Sequence, residues 1–511
     1  MTRTGAAIRL AVIVGVFICT LAGWGVGGYV GAGIGFALGI ALLVVPWRRH
    51  PVWSWAALYV CRNRPMPLSK PETVTNDRSG GGVRYQDDVA ITAVQVLGKA
   101  HRPTLLAGST SLHTDNTLDI SGLLPLMRQS LGLTINSLSV ICAGSRRRNS
   151  GDYPRVYDTL VGPSPYAGQR ETWLVLRFNV AENGDGLRWR ETAGTAAVAA
   201  AQRIAATLRT NGLRARVASA GDIAELDRRL GSSALEPINR RWKTLRSDSG
   251  WMTTYAYRPC DITAAILAQA WTLRVDGVVQ NITLSPDGMV RASVTLRTAQ
   301  PPTASPSTAL QTLPGEQRLA LANTMCGPPR PLRGQPYGPL RYPLRIEIGP
   351  SGVLIGKIAT GERVLVPLGD PGDVSRVHIT ADDSITKRLI IRTAATGERI
   401  TVHTSDLLRW DSVRMPNVLV TDQPRSGPGT TVSVVDGSVI PSPRPATVIS
   451  VLQAQLAEPA PADVVITQTG PGTVDVTAAG VGSSVEVELF RAENRYVSAH
   501  LTRLLDLEMA E

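Results

Sequence analysis

Residues 10–47 read LAVIVGVFICTLAGWGVGGYVGAGIGFALGIALLVVPW, without one charged residue and with glycine at positions 23, 27, 31, 35 and 39. A helix rises about 1.5 Å per residue, so this run is nearly twice as long as one crossing of a roughly 30 Å hydrocarbon core requires. It fits two short membrane helices joined by a tight turn. The sequence puts that turn at Gly23-Trp24-Gly25, an interfacial tryptophan between two glycines. The helices then run over about residues 6–22 and 26–45, the second closed by Pro46. A secretory signal peptide would have a 7–15-residue apolar region and a small-x-small cleavage site, and neither feature is present.

The spacing of Gly23, Gly27, Gly31, Gly35 and Gly39 places small residues on one helix face, where another backbone can approach closely. That face packs either the first helix of the pair or a foreign subunit, and the sequence leaves both open. Arg3 and Arg9 precede the run, and Arg48, Arg49, Arg62 and Arg64 follow it. Positive charge marks the cytoplasmic side. The expectation is a multi-pass protein of a bacterial inner membrane, with the N-terminus and the large C-terminal region in the cytoplasm.

The rest of the 511 residues suffices for two or three domains. Mean hydropathy is near zero, as for a soluble portion carried on a small anchor. Arginine outnumbers lysine by more than nine to one, the signature of a GC-rich, actinobacterial kind of genome. The net charge of +12 is scattered rather than clustered, which argues against nucleic acid and suits attraction to anionic inner-membrane lipid. The five cysteines, Cys19, Cys61, Cys142, Cys260 and Cys326, form no CxxC pair, so they read as reduced side chains rather than a zinc site or a disulfide framework.

The organisation expected is a transmembrane hairpin over 1–47, an interfacial helix and linker over 48–82, and a first cytosolic α/β domain over 83–299. A Pro/Gly/Ser-rich linker over 300–343 and a second α/β domain over 344–511 complete it. In the first domain, strands are expected at 89–97, 135–143, 172–180 and 213–218, and helices at 117–131, 192–210 and 222–230. A hairpin over 271–284 and 290–298 turns at Ser285-Pro286-Asp287-Gly288. Strands alternating with helices argue for Rossmann-like mixed α/β domains with partly parallel sheets. A closing helix is expected near 497–509.

No catalytic constellation stands out. Gly352–Lys357 imitates a P-loop, but it is one residue short between glycines, has Ile358 where Ser or Thr is needed, and lies in a strand pair. The strand–loop–helix at 377–388 sits where a nucleotidase would hold phosphate, and 418–422 imitates a metal-binding strand; the loop, however, lacks glycine and carries Asp382 and Asp383. His378 and His403 read as core or edge residues. No catalytic, cofactor-binding or metal-ligating residue is assigned, and no cofactor is expected.

The segment 157–177, with Gly162-Pro163, Gln169-Arg170, Thr172-Trp173 and Val175-Leu176-Arg177, resembles the EccE component of mycobacterial type VII (ESX) secretion systems. The alanine-rich helix ending in Asn211-Gly212-Leu213-Arg214, the pair at 352–367 and the stretch 397–404 are similar to the same family. The resemblance implies a non-catalytic structural subunit at the periphery of an inner-membrane complex, associated with EccB, EccC and EccD subunits, of which EccC is the ATPase. The alternative is a membrane-tethered enzyme acting on a nucleotide-linked substrate through the α/β domains.

Overall fold

The computed structural model describes residues 3–43, 45, 50–76, 79–108, 111–145, 152–162, 170–236, 242–349, 351–370, 372–443, 445–452 and 461–497. Arg146–Arg148, the Pro163–Gln169 part of the family-like segment and nearly all of the expected closing helix lie outside them. The described residues form a mixed α/β molecule: an N-terminal apolar helical run and two large sheets.

In the first sheet the strands lie in the order Glu72–Asn76, Ser79–Gln86, Val89–Gly98, Glu171–Asn179, Ser137–Gly144, Gly277–Leu284, Met289–Thr298, Gly250–Tyr257 and Leu245–Ser247. Every pairing in it is antiparallel. The strand–helix alternation that suggested a parallel sheet is present. From Glu171–Asn179 the chain passes through the helix Ala193–Thr210 to the strand Arg214–Val217, which runs parallel to its starting strand. The strand Val89–Gly98 lies between the two and pairs antiparallel with both, giving a split βαβ unit. An inserted strand makes no mark on local hydrophobic periodicity.

Both faces of this sheet are covered, and alternate residues divide between them. Leu174, Leu176 and Phe178 join one core, together with Ala197, Ala200, Ala201 and Ile204 of the helix. Trp173 and Val175 join the other, with Ile223, Leu226 and Met325. The helix starts where Thr192 and Thr195 cap one another, and Asp87 and Asp88 turn the hairpin ahead of Val89 with positive φ of 53° and 58°.

The second sheet has a parallel half: Val418–Thr421, Ile400–Thr404, Val432–Asp436, Thr447–Val451, Ser375–Thr380 and Val464–Gly470. It continues antiparallel through Thr473–Ala478, Val481–Val487, Val353–Lys357, Arg363–Val366, Thr104–Ala107 and Ser111–Thr114. The described residues do not bear out a Rossmann-like fold. That fold needs helices on both faces of a parallel sheet, and among the described residues one α-helix, Asp383–Ala395, joins strands of the parallel half.

The proline-rich segment expected as a linker packs onto the first sheet. Leu310–Thr312 pairs with Gly250–Tyr257, and Leu321, Met325 and Cys326 are fully buried beneath that sheet. Two buried arginines hold it there. Arg177 donates to the carbonyls of Gly327 at 2.6 Å, Met325 at 2.9 Å and Asn323 at 3.2 Å. Arg84 joins Asp227 and the Cys326 carbonyl, both at 2.5 Å. Burial lowers the Arg177 pKa to about 10 and raises that of Asp227 against the pull of Arg84.

Nor do the two regions keep to their expected boundary at 299–344. Residues 104–114 extend the second sheet, and the helix Asp152–Val161 puts Tyr153, Tyr157, Leu160 and Val161 into the second core. The helix expected at 117–131 is instead a short strand, Thr117–Asp119, paired with Arg345–Glu347, and then three 3₁₀ turns. Pro125, which has no N–H to continue a helix, opens the second turn, and the extended residues Arg128 and Gln129 separate it from the third.

Burial pushes the thiols of Cys142 and Cys326 up from their ordinary value, whereas Cys260 is exposed. The thiolate is the nucleophile. Maleimide at pH 8 is thus expected to modify Cys260 in the folded chain and to reach Cys142 and Cys326 only after denaturation, as peptide mass spectrometry will show. Ready labelling of Cys326 would contradict the burial of residues 321–327.

Candidate membrane anchor and its mount

The apolar run Arg3–Leu43 is helical on both sides of a break at Gly27 (φ −141°, ψ 24°) and Gly28 (φ 56°, ψ −139°). The break lies a few residues beyond the expected turn at Gly23–Gly25. Only glycine adopts the Gly28 conformation without strain, which decides where the helix can open. Trp24 and Tyr29 flank it with ring centroids 5.0 Å apart.

The residues on either side of the break come together. A side chain at Gly23 would strike the Gly31 carbonyl and lie 3.2 Å from the Gly35 Cα. One at Gly35 would strike the Cys19 carbonyl. One at Gly39 would lie 3.2 Å from the Val16 Cα and 3.3 Å from the Cys19 Cβ. Gly27, by contrast, has nothing within 4 Å. Of the five glycines singled out, Gly23, Gly31, Gly35 and Gly39 thus meet the chain's own backbone and side chains, and Gly27 sits in the bend. The outward side chains are large and apolar: Val26 is 93 % exposed and Tyr29 83 %, with Ile13, Phe17 and Ile34 exposed as well. Among the described residues one stretch, Val12–Ala41, is by length and composition long and apolar enough to cross a membrane; two separate spans are not given by that measure.

The next helix, Val52–Val60, mounts this segment on the sheet-bearing part of the chain. Trp53 Nε1 donates to the Leu43 carbonyl at 3.2 Å, tying the helix to the end of the apolar run. Trp55 lies between His50 and Trp242, with ring centroids 4.8 and 5.7 Å away. His50, almost fully buried, approaches Glu316 at 3.4 Å and Ser54 at 3.1 Å. Glu316 in turn accepts the backbone N–H groups of Arg333 and Gly334 at 2.9 and 2.8 Å. A cavity of about 430 Å³ lies between Trp55 and residues 311–316. Truncating Trp55 to alanine removes the ring between His50 and Trp242 and is expected to loosen this mount by roughly 2 kcal/mol. Faster amide exchange confined to residues 50–64 is the readout, and unchanged exchange would mean that the mount rests on other contacts.

The phosphate-site imitation is closed by its own residues. The strand Ser375–Thr380 does lead to the helix Asp383–Ala395, capped by Asp382. At that N-terminus, where an anion would ordinarily bind, the Arg409 guanidinium bridges Asp383 at 2.5 Å and Asp436 at 2.9 Å. Arg409 holds the Asp383 carboxyl below the usual range. The other P-loop imitation is the strand Val353–Lys357, hydrogen-bonded to Arg363–Val366. Among the described residues no group of three or more His, Cys, Asp or Glu could hold a metal.

An ESX-2 secretion system protein, EccE2 of Mycobacterium tuberculosis (strain CDC 1551 / Oshkosh), is 48 % identical over 96 % of this chain and 96 % of its own length. This chain belongs to the EccE family. The family model described as "Putative type VII ESX secretion system translocon, EccE" matches residues 166–257. EccE1 of the ESX-1 system of the same strain is 26 % identical over 73 % of this chain and 77 % of its own. EccE5 of the ESX-5 system of Mycobacterium marinum is 34 % identical over 22 % of this chain and 28 % of its own. As an EccE protein the chain is a component of a type VII secretion system, a family of structural components not known as enzymes. The part of the EccE match that the structure describes begins at Arg170, whose guanidinium lies 4.0 Å from the Trp271 ring centroid. It includes Arg177, the residue that clamps the segment 323–327. Within the EccE match, then, residues that looked like a signature serve the sheet's interior. The sequence missed the mount because Trp242 and Glu316 lie far from residues 50–64 along the chain.

Proposed function

We propose that this EccE chain is a non-catalytic scaffold subunit of a type VII secretion complex in the bacterial inner membrane. Its apolar segment passes into the bilayer and back as a hairpin, leaving the N-terminus and the large C-terminal region in the cytoplasm. The two α/β regions then bind EccB-, EccC- and EccD-type subunits. The observation that carries the reading is the likeness to an ESX-2 EccE2 protein across nearly the whole of both chains, supported by the break at Gly27-Gly28 and the glycine approaches on either side of it. The arm after the break, Gly28 to Leu43, would span about 23 Å at about 1.5 Å per residue, short of a full core by an amount that a local thinning accommodates.

The test is affinity purification of the full chain from native membrane in mild detergent. Recovery of an EccC-type ATPase together with an EccD-type multispanning protein supports the scaffold. A chain recovered alone, from membranes in which those proteins are present, refutes it.

A further inference from the structure

The faces of the helix Val52–Val60 differ in their surroundings. Ser54 is buried, and Trp53, Trp55 and Leu58 are half-buried. Ala56, Ala57, Tyr59 and Val60 are exposed, Val60 at 71 % and Tyr59 at 57 %. An apolar face held open beside the end of a membrane segment is continuous with the surface that segment enters, and the Trp53–Leu43 bond fixes it there.

Positive charge gathers at the C-terminal end of this face. The Arg62 guanidinium lies 3.5 Å from the Tyr59 ring centroid and donates to the Tyr59 carbonyl at 2.9 Å. Arg318 reaches across from the soluble region to donate to the carbonyls of Cys61 at 2.8 Å and Arg64 at 2.7 Å. A helix C-terminus repels anions; here Arg318 covers carbonyls that would do so. Burial, and the charges of Arg330 and Arg64, lower the pKa of Arg318, so like charges are crowded at this point.

We propose that the exposed face of residues 56–60, with Arg62, Arg64 and Arg318, is a seat for anionic phospholipid. Tyr59 and Val60 enter the acyl boundary, and the guanidinium groups hold lipid phosphates. The inference rests on the anchoring proposed above and sets the height of the soluble region over the bilayer, because the same helix is bolted to that region through Trp55 and His50.

The experiment places the full chain in nanodiscs of phosphatidylcholine alone, or of phosphatidylcholine with phosphatidylglycerol added to supply anionic headgroups. Amide exchange over residues 56–64 is read in each. Exchange about tenfold slower in the anionic disc, with the difference lost in Arg62→Gln/Arg64→Gln, supports the seat. Equal exchange in the two discs overturns it. So does equal slowing by inorganic phosphate added to the phosphatidylcholine disc, which would mark a free-anion site. A chain that fails to co-purify with either disc refutes the anchoring and the seat together, whereas insertion into both with equal exchange refutes the seat alone.

Discussion

Glu493→Ala is expected to destabilise the second α/β region by about 3–5 kcal/mol, the cost of stranding a buried charge. Glu493 and Arg392 are both fully buried. The guanidinium meets the carboxylate on two sides, Nε to Oε1 at 2.9 Å and an Nη to Oε2 at 2.8 Å. Tyr153 donates its hydroxyl to the same Oε1 at 2.8 Å, and burial together with Glu493 pushes the phenol well above its ordinary pKa. Arg392 also serves the carbonyls of Leu354, Ile355 and Glu488. Alanine would therefore leave two buried cations, Arg392 and also Arg388, whose Nε lies 3.5 Å from the carboxylate, together with one buried hydroxyl and a cavity at the point where a helix from residues 152–161, the helix Asp383–Ala395 and the chain near 490–497 converge. Urea unfolding, with exchange protection of Asp383–Ala395 as the local probe, measures the loss. The double variant Arg392→Met/Glu493→Leu is expected to recover part of it, since the Arg392 charge is gone, though Arg388 stays without its carboxylate and the three carbonyls stay short of a donor. A loss under about 1 kcal/mol for Glu493→Ala would mean that water reaches the pair.

That network was not legible in the sequence, for a reason that applies to most of the fold. Arg392 and Glu493 are separated by a hundred residues, and each alone reads as a surface charge. What could be read was local. The alternating strand Glu171–Asn179, the alanine-rich helix with Thr192 before it and Asn211-Gly212 after it, and the Ser285–Gly288 turn all follow from short-range periodicity and capping. Residues 300–343 look like a linker by composition; what buries them is Arg177 and Arg84, placed from strands well over a hundred residues earlier. Residues 104–114 and 152–161 lie inside the first domain along the chain and inside the second core in space, and no composition shift marks the crossing. Of the anchor, the apolar run and its glycine face were legible, because both repeat at fixed spacing. The position of the turn was not. Gly23–Gly25 and Gly27-Gly28 are equally weak helix formers, and the choice between them is made by which register lets Gly23, Gly31 and Gly35 face one another.

The same register supplies the sharpest prediction. In an unbroken helix residues 19 and 39 would be separated by about 30 Å. With the break at Gly27-Gly28, a Cβ at position 39 lies 3.3 Å from the Cys19 Cβ, close to disulfide geometry. Gly39→Cys is therefore expected to cross-link to native Cys19 within one chain under mild oxidation in native membranes, read as a linked peptide by mass spectrometry. Absence of that link would rule out the folded-back anchor. Leucine at Gly31 or Gly35 drives a side chain into the backbone carbonyl of Gly23 or Cys19. Main chain cannot rotate out of the way as a side chain can, so each is expected to cost roughly 3 kcal/mol and to abolish the Cys19 link. Gly33→Leu is the control, because a Cβ there meets nothing within 4 Å, and the link should survive it. If Gly33→Leu keeps the link yet releases the chain from its secretion complex, the outward side of the anchor is where a neighbouring subunit packs. If the complex survives Gly33→Leu and is lost only with Gly31→Leu or Gly35→Leu, the glycine face acts by closing the hairpin on itself, and assembly depends on the soluble regions it holds in place.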